Sequence, residues 1–476
     1  MGVSTFMPLY VGLSGLESMQ QAESVVGNNI DNASTPGYAQ EQVNFVENEP
    51  FPAVPGSGPA IAGQFGQGVA VGSVTRQDDA YYDEQDRQNQ GTYQMYATHS
   101  SVLTQIQGIL NEPSSTSVQN AVDQFFSAWQ ELSNNPSDDA AKQAVITQGQ
   151  VVGQTFQVVT QQLQQLQSNL TGVVNGQLAQ LNQYAQQLAD LNKQITQVKQ
   201  SGENPNQLLD EQSNILDKMS QLADITYTPD SAGDGGVDVT VGSGSNAVQV
   251  VKDDTYSPFP NATTASSLST STPVSLSSLQ PQLSAITSGQ IAGNVQGYDD
   301  ASNLLGNIDS FLSNFASQVN SALGGQSFFS YSGGVLSVGI TSPSALQTGP
   351  SGNAGDNTYA IAMVNLQTTS WTINWNYSQQ ANGGSSVSQS VTGTPDQQLA
   401  AMVSGVGTEA SGVTFSENTA NALQEQSSQL RQSVSGVSLD EQASYMVEFQ
   451  NAYAAAAKYI TTFQSMMQSL LNMVQS

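Results

Sequence analysis

The sequence predicts an α+β multidomain fold: paired N- and C-terminal helices, a long helical or coiled-coil bundle domain, and an inserted all-β domain. Three observations carry this. Apolar residues recur every three or four positions at both ends of the chain. No proline interrupts the stretch between Pro136 and Pro205. Two later stretches, 226–280 and 328–395, are rich in Gly, Ser, Thr and Val, with runs that alternate with period two. The 476 residues are long enough for about three domains and for cores that need no disulfide or metal.

The first helix is expected over 5–32, where Phe6, Leu9, Leu13, Leu16, Met19, Ala22, Val26 and Ile30 form one stripe. Pro8 fits a first turn, and Thr35-Pro36-Gly37 ends the helix, because Pro36 disfavours helical backbone at Thr35. Residues 40–80 are turn-rich, with a short strand at Val69, Val71 and Val74 after Gly66-Gln67-Gly68. Helix returns over about 81–132. The proline-free stretch then carries Val159, Leu163, Leu166, Leu170, Val173, Leu178, Leu181, Leu188, Leu191, Ile195 and Val198 at near-heptad spacing. As one helix it would be a rod of roughly 90 Å, with Gly172 and Gly176 as its weak points. Val237-Asp238-Val239-Thr240-Val241 and Trp371, Ile373, Trp375, Tyr377 alternate like half-buried strands, and a helix separates them over about 296–323. Helix is expected to resume near 414. Ser438-Leu439-Asp440-Glu441 fits a capping box, followed by a stripe through Met446, Phe449, Tyr453, Ile460, Phe463, Met467 and Leu470. The expected domains are 1–38 plus 437–476 for the terminal helices, 39–225 plus 285–327 plus 405–436 for the helical body, and 226–284 plus 328–404 for the β-rich part.

Composition narrows function. With 38 acidic and 9 basic residues the net charge is −29, so clustered Lys and Arg for nucleic acid are missing. An anionic membrane surface is disfavoured for the same reason. No window is apolar enough to span a bilayer, and the first basic residue, Arg76, lies too far along for a secretory signal. The chain is therefore expected to be cytoplasmic or exported without a cleaved peptide. Gln, Ser, Asn, Thr and Gly replace charge at exposed-looking positions. That surface is either suited to acid or a product of compositional drift, and a deep solubility minimum at pH 4 would count against the first.

Catalytic chemistry is thinly provided. There is no Cys and a single histidine, His99, so no thiolate or two-imidazole site exists within one chain. His99 reads as a packing or surface residue. Gly66-Gln67-Gly68 is not continued into a dinucleotide fingerprint. Asp230, Asp234 and Asp238 lack the order of a calcium loop, and Gly233 to Gly236 reads as a hairpin turn. No cofactor or metal is called for, and no catalytic residue stands out.

The segment Val26-Gly27-Asn28-Asn29-Ile30-Asp31-Asn32-Ala33-Ser34-Thr35-Pro36-Gly37-Tyr38 resembles the N-N-I-A-N-x-x-T-P-G-Y signature of bacterial flagellar rod, hook and hook-associated proteins, with Asp31 for the common Ala. Gly68-Val69, Val71, Val74, Arg76 and Asp78 resemble the strand that follows it. Further motifs are similar to the hook-associated protein 1 family. They are Glu112-Pro113-Ser114-Ser115, the run from Phe125 to Ser133 with Asn135-Pro136, Leu188 to Ile195, Asn206 to Glu211, Val437 to Ala443, and Tyr453 to Lys458. Glu211 and Gln212 stand where many relatives continue with Arg.

The resemblance implies an extracellular structural protein of the flagellum, not an enzyme, forming a ring at the hook–filament junction. It implies export through the flagellar type III channel without a cleaved signal. It implies an inner coiled coil of the terminal helices, a helical domain around it and an outward β domain. Partners implied are copies of the chain, the hook protein, the next hook-associated protein, and an export chaperone on the C-terminal helix, with neither nucleic acid nor membrane. The family motif would be Asn28, Asn29, Asn32, Thr35, Pro36, Gly37 and Tyr38, and the assembly stripe Leu9, Leu13, Leu16, Val26 and Ile30 with the C-terminal residues named above. Other readings are the hook protein, the third hook-associated protein, or a secreted adhesin or enzyme with activity in 226–400.

Overall fold

The structure, a computed structural model, describes residues 6–51, 64–111, 114–231, 233, 235–260, 282–379 and 385–475. Helix α1 (Met7–Asp31) leads to a two-stranded antiparallel ribbon, β1 (Glu41–Glu47) and β2 (Val69–Arg76). Helices α2 (Ala80–Leu110), α3 (Val118–Asn134), α4 (Asp139–Gln200) and α5 (Asn206–Leu222) follow. The expected single helical stretch over 81–132 is split at Asn111, which takes a left-handed backbone (φ 49°). The proline-free stretch is one helix of 62 residues, about 93 Å long. Gly172 and Gly176 sit on its open side, where an added Cβ would meet nothing.

Strands β3 (Ile225–Pro229), β4 (Val237–Val241), β5 (Val248–Lys252) and β6 (Thr255–Tyr256) form a four-stranded antiparallel meander. Between β3 and β4 the backbone turns as expected: the Asp230 carboxylate accepts from the Gly233 N–H at 2.8 Å, and Asp234 lies outside the described residues. Helix α6 (Gly289–Ala322) is followed by the hairpin β7 (Phe329–Ser332) and β8 (Val335–Val338), then helix α7 (Thr358–Leu366). The hairpin β9 (Trp371–Gln379) and β10 (Ser385–Gly393) precedes helices α8 (Pro395–Ser435) and α9 (Leu439–Gln475).

Two differences from the sequence reading have physical causes. Helix α7 lies in text read as β, because the short run Tyr359-Ala360-Ile361-Ala362-Met363 has too few residues for its period to speak. Helix α8 starts at Pro395 rather than near 414. Thr394 caps it in a reciprocal box with Gln397, and Pro395 occupies its first turn. Gly405, Val406 and Gly407 weaken its propensity, but Leu399, Met402 and Val413 bury against the body and hold it.

The apolar residues collect in two cores, and α4 runs through both. Its first half, up to Leu170, meets α3, the later part of α6, the two hairpins β7–β8 and β9–β10, and the start of α8. There Phe125, Phe126, Trp129, Phe156, Phe311, Phe315, Phe328 and Phe329 bury completely or nearly so, with ring centroids 4.9–6.3 Å apart. On β9, Trp371, Ile373 and Trp375 face this core, as their alternation indicated. The second half of α4, from Val174, packs with α5, the meander and the start of α6. The meander and the two later hairpins thus share no common sheet; they divide between the two ends of one helix, while the β1–β2 ribbon packs on α1.

Candidate functional site: the terminal helix pair and its joint to the body

Helices α1 and α9 lie side by side and antiparallel. Gly12 faces Ile460, Gly15 faces Ala456, Gln450 donates to Glu23 at 3.1 Å, and Asn29 donates to Gln442 at 3.0 Å. Ser438 accepts from the Glu441 N–H at 3.4 Å, one half of the expected box, while the Glu441 carboxylate accepts from the Tyr445 hydroxyl at 2.9 Å. At Gly12 the helices approach so closely that a Cβ would stand 2.6 Å from Ile460 Cγ1. A Gly12→Val exchange is therefore expected to lever the pair apart, at about 1–3 kcal/mol, read as a drop in the melting temperature of the terminal pair with the body's transition unmoved.

The expected assembly residues fall into two groups. Val26 is buried, and Leu9, Leu16, Ile30, Met446, Phe449, Ile460, Phe463 and Met467 are half-buried. Leu13, Tyr453 and Leu470 stay exposed. Phe449 is engaged within the chain: it stacks on Tyr445 and meets Phe45 of the ribbon edge-on at 6.1 Å. Towards the end of α9, Met466, Leu470, Leu471 and Met473 are exposed.

The motif at 28–38 is a hydrogen-bonded corner. Asn29, 1% exposed, makes four bonds. It donates to the Glu41 carbonyl (2.8 Å) and Gln442, and accepts from the Glu41 N–H (2.9 Å) and the Tyr38 hydroxyl (2.7 Å). Asn28 donates to Tyr38 and Glu41, Asn32 donates back to Asn28, and Thr35 donates to Asn32. The Pro36 carbonyl accepts from Asn214 of α5 at 2.9 Å. Gly37 has φ +82°, and a Cβ there would crowd Asn214 and the Asp210 carbonyl, so two separate demands select glycine. Burial, then the charges of Glu41 and Asp210, push the Tyr38 phenol up, which keeps its proton on the bond to Asn29. Every motif residue thus serves one bend that ties α1 to the ribbon, to α9 and to α5.

Beside the corner lie all three arginines of the chain. Arg76 bonds Asp210 and Asp78, each at 2.6 Å. Arg431 of α8 reaches Asp83 (2.7 Å), Asp86 (3.2 Å) and Asp217 (2.9 Å). Arg87 bonds Asp217 (2.6 Å) and the Tyr227 hydroxyl (2.7 Å), and both Arg87 and Arg431 donate to Ser213. Burial opposes the charge on Arg431, but Asp217 and Asp83 outweigh it and hold its pKa above the usual arginine value. For Asp210 burial is the largest influence and outweighs Arg76, so its carboxyl lies above the ordinary range. An open groove of about 810 Å³ runs along the joint, walled by Tyr38, Arg76, Asp83, Asp86, Arg431 and Tyr445.

The sequence reading missed Gln442, Asn214 and the arginine network as parts of this joint. A usable signal existed: where only 9 basic residues serve 476 positions, each arginine marks a place where a bidentate cation is required. His99 is buried with its Nε2 2.6 Å from Asp300, a packing position. Among the described residues no group of three His, Cys, Asp or Glu side chains is placed to hold a metal, and no helix is long and apolar enough to cross a membrane.

Three protein-family models match. Residues 103–326 match the flagellar hook-associated protein FlgK helical domain, 9–38 the flagella basal body rod protein, and 428–473 the C-terminal part of the flagellar basal body rod FlgEFG proteins. Together they take in well over half of the chain, and flagellar hook-associated protein 1 of Bacillus subtilis aligns at 27% identity over 98% of both chains. The chain is similar to the FlgK family of flagellar hook-associated proteins along nearly its whole length. Flagellar hook-associated protein 1 of Salmonella typhimurium is 27% identical over half of this chain and 41% of that relative. The flagellar hook junction protein FlgK from Burkholderia pseudomallei shares the fold, with a TM-score of 0.58 and 15% identity over 74% of this chain and all of that one. In FlgK terms, the rod-protein matches fall on α1 with its corner and on α9 with the end of α8. The helical-domain match spans both cores.

Proposed function

We propose that this chain is an axial structural part of the bacterial flagellum that forms the ring joining hook to filament. The observation that carries the reading is the antiparallel terminal pair, fixed to the body by the motif corner and still apolar on its outside. Leu13 and Tyr453 remain exposed on the pair, as do Tyr10, Val447 and the tail of α9. Apolar surface of this kind gains about 25 cal/mol per Å² when covered, so neighbouring copies that cover it hold the ring together. The hook protein and the next hook-associated protein meet the ring from either side. Before export, an export chaperone covers the tail of α9. The chain reaches the cell exterior through the flagellar type III channel, with no cleaved signal, and works by assembly rather than catalysis.

Deleting the gene tests the role, with electron microscopy of the cell surface and a blot for flagellin in the medium. Hooks without filaments and shed flagellin are expected; normal filaments would overturn the reading. Leu13→Asp, on the outer face, is expected to abolish motility while the purified chain keeps its melting profile. Phe449→Asp is also expected to block assembly, but with loss of the contacts to Phe45 and Tyr445. Full motility with either variant would remove the terminal helices from the assembly mechanism.

A further inference from the structure

We propose that the body bends at one turn of α4, residues 171–176, about a fixed crossing of α2 and α6, so that its two cores move as rigid halves on a hinge. Three long helices change core at one level. Helix α2 passes from the second core at Met95 to the first at Val102, α6 from the second at Val295 to the first at Ala301, and α4 from the first at Leu170 to the second at Val174.

Helix α4 contains four glycines. Gly149 and Gly153 have a packing reason, since a Cβ would strike the Phe328 ring and the Leu336 carbonyl. Gly172 and Gly176 have none, because a Cβ at either meets nothing within 4 Å. Glycine is the weakest helix former after proline, and these two stand one turn apart with no close approach to explain them. In the same stretch Thr171 and Asn175 turn back on the helix, donating to the Gln167 carbonyl at 2.8 Å and the Thr171 carbonyl at 2.9 Å. Such bonds compete with the backbone ladder and favour bending. Beside this turn α4 stands off from α2 across an open cleft of about 400 Å³. Ala97, Thr98 and Val102 wall it on one side, and Leu166, Leu170 and Val173 on the other. The soft turn therefore has room to move.

The crossing itself is locked. Gly293 and Gly297 of α6 press on α2, where added Cβ atoms would clash with the Met95 carbonyl and the Val102 side chain. Tyr96 and Tyr298, which pack against both cores, sit on these same two helices. Just past the soft turn a relay of amides fastens α4 to the crossing. Gln177 donates to Gln290 at 3.2 Å, Gln290 to Gln94 at 3.1 Å, and Asn294 to Gln177 at 3.1 Å. A fixed crossing, a soft turn and a cleft between them are the parts of a hinge. Helix α8 follows the same plan. It runs antiparallel to α2, with its Leu423 carbonyl accepting from Asn89 and its Ser427 donating to Asp86. That pairing sets Gly412, where a Cβ also meets open space, opposite Ser100 at the level of the soft turn.

Spin labels on introduced cysteines test this in the full chain, which has no cysteine of its own. Ser337→Cys on β8 with Gln249→Cys on β5 spans the two cores, and Ser337→Cys with Gln143→Cys on α4 stays within the first. The between-core distance distribution is expected to be clearly broader than the within-core one. Gly172→Ala with Gly176→Ala adds two methyl groups in open space and is expected to narrow it towards the within-core width. The same pair is expected to slow hydrogen exchange of the amides at 172–178 roughly tenfold, after correction for intrinsic rates. A control on other exposed positions of α4, Gln154→Ala with Gln161→Ala, is expected to leave the width unchanged. Equal widths for the two label pairs in the otherwise unaltered chain would overturn the hinge. So would a broad between-core distribution that the glycine replacements leave as it was, which would place the motion elsewhere. Equal narrowing by the control would overturn it too, by assigning the effect to general helix strength.

Discussion

Asn29→Ala is expected to unhitch the terminal helix pair while the body stays folded. The side chain is buried and all its polar capacity is used: two donations, to Glu41 and Gln442, and two acceptances, from Glu41 and Tyr38. Alanine removes all four bonds and leaves the Glu41 N–H and carbonyl, the Tyr38 hydroxyl and the Gln442 amide without their partner. Each buried orphan costs about 1–3 kcal/mol, and as neighbours they do not add fully, so a loss of about 3–5 kcal/mol is expected at the corner. The two cores contain none of these groups. The expected signature is a melt in two steps, with the early step carrying the helical signal of α1 and α9, and loss of motility in cells. Asn29→Asp separates geometry from charge, since it keeps the acceptor for Tyr38 and Glu41 but meets the Glu41 carbonyl and Gln442 oxygen with oxygen. A single unshifted transition for Asn29→Ala would mean that the corner does not hold the pair.

Replacing Arg431 by Leu is expected to lower the melting temperature of the body itself. Its side chain is 16% exposed and touches Asp83, Asp86 and Asp217, so its removal leaves three acidic groups facing one another around Arg87 alone. Removing one partner of a buried ionic group costs about 3–5 kcal/mol, a fall on the order of 10 °C for a body of this size. Arg431→Lys restores the charge, but a single ammonium cannot reach three carboxylates and Ser213 together, so only part of the loss is expected to return. Full recovery with Lys would assign the effect to charge and not to the fork geometry.

The terminal helices, the long rod of α4, strands β2, β4 and β9, and the corner motif were legible because each rests on a local pattern: a stripe, a proline-free run, an alternation, a turn sequence. The joint was not. Asn29 meets Gln442, and Asp83 meets Arg431, across more than 340 positions of chain, and no local period encodes such a pairing. The division of the strands between two cores was hidden for a similar reason. Val237 to Val241 and Trp371 to Trp375 carry the same period-two text, and only tertiary packing sends one to each end of α4. Helix α8 shows the remaining failure, where a capping box at Thr394 was present but the residues after it, poor in helix formers, masked it.

The waist between the terminal pair and the body has a mechanical consequence. The chain passes through it twice, from β2 into α2 after Gln77 and from α8 into α9 at Gly436-Val437-Ser438. Gln40 bridges the two passages, its N–H bonded to the Ser435 carbonyl at 2.9 Å and its own carbonyl bonded by the Gln77 N–H at 2.8 Å. Two covalent passages held side by side, with Arg76 and the Pro36 carbonyl also bonded to α5, resist twist of the terminal pair against the body.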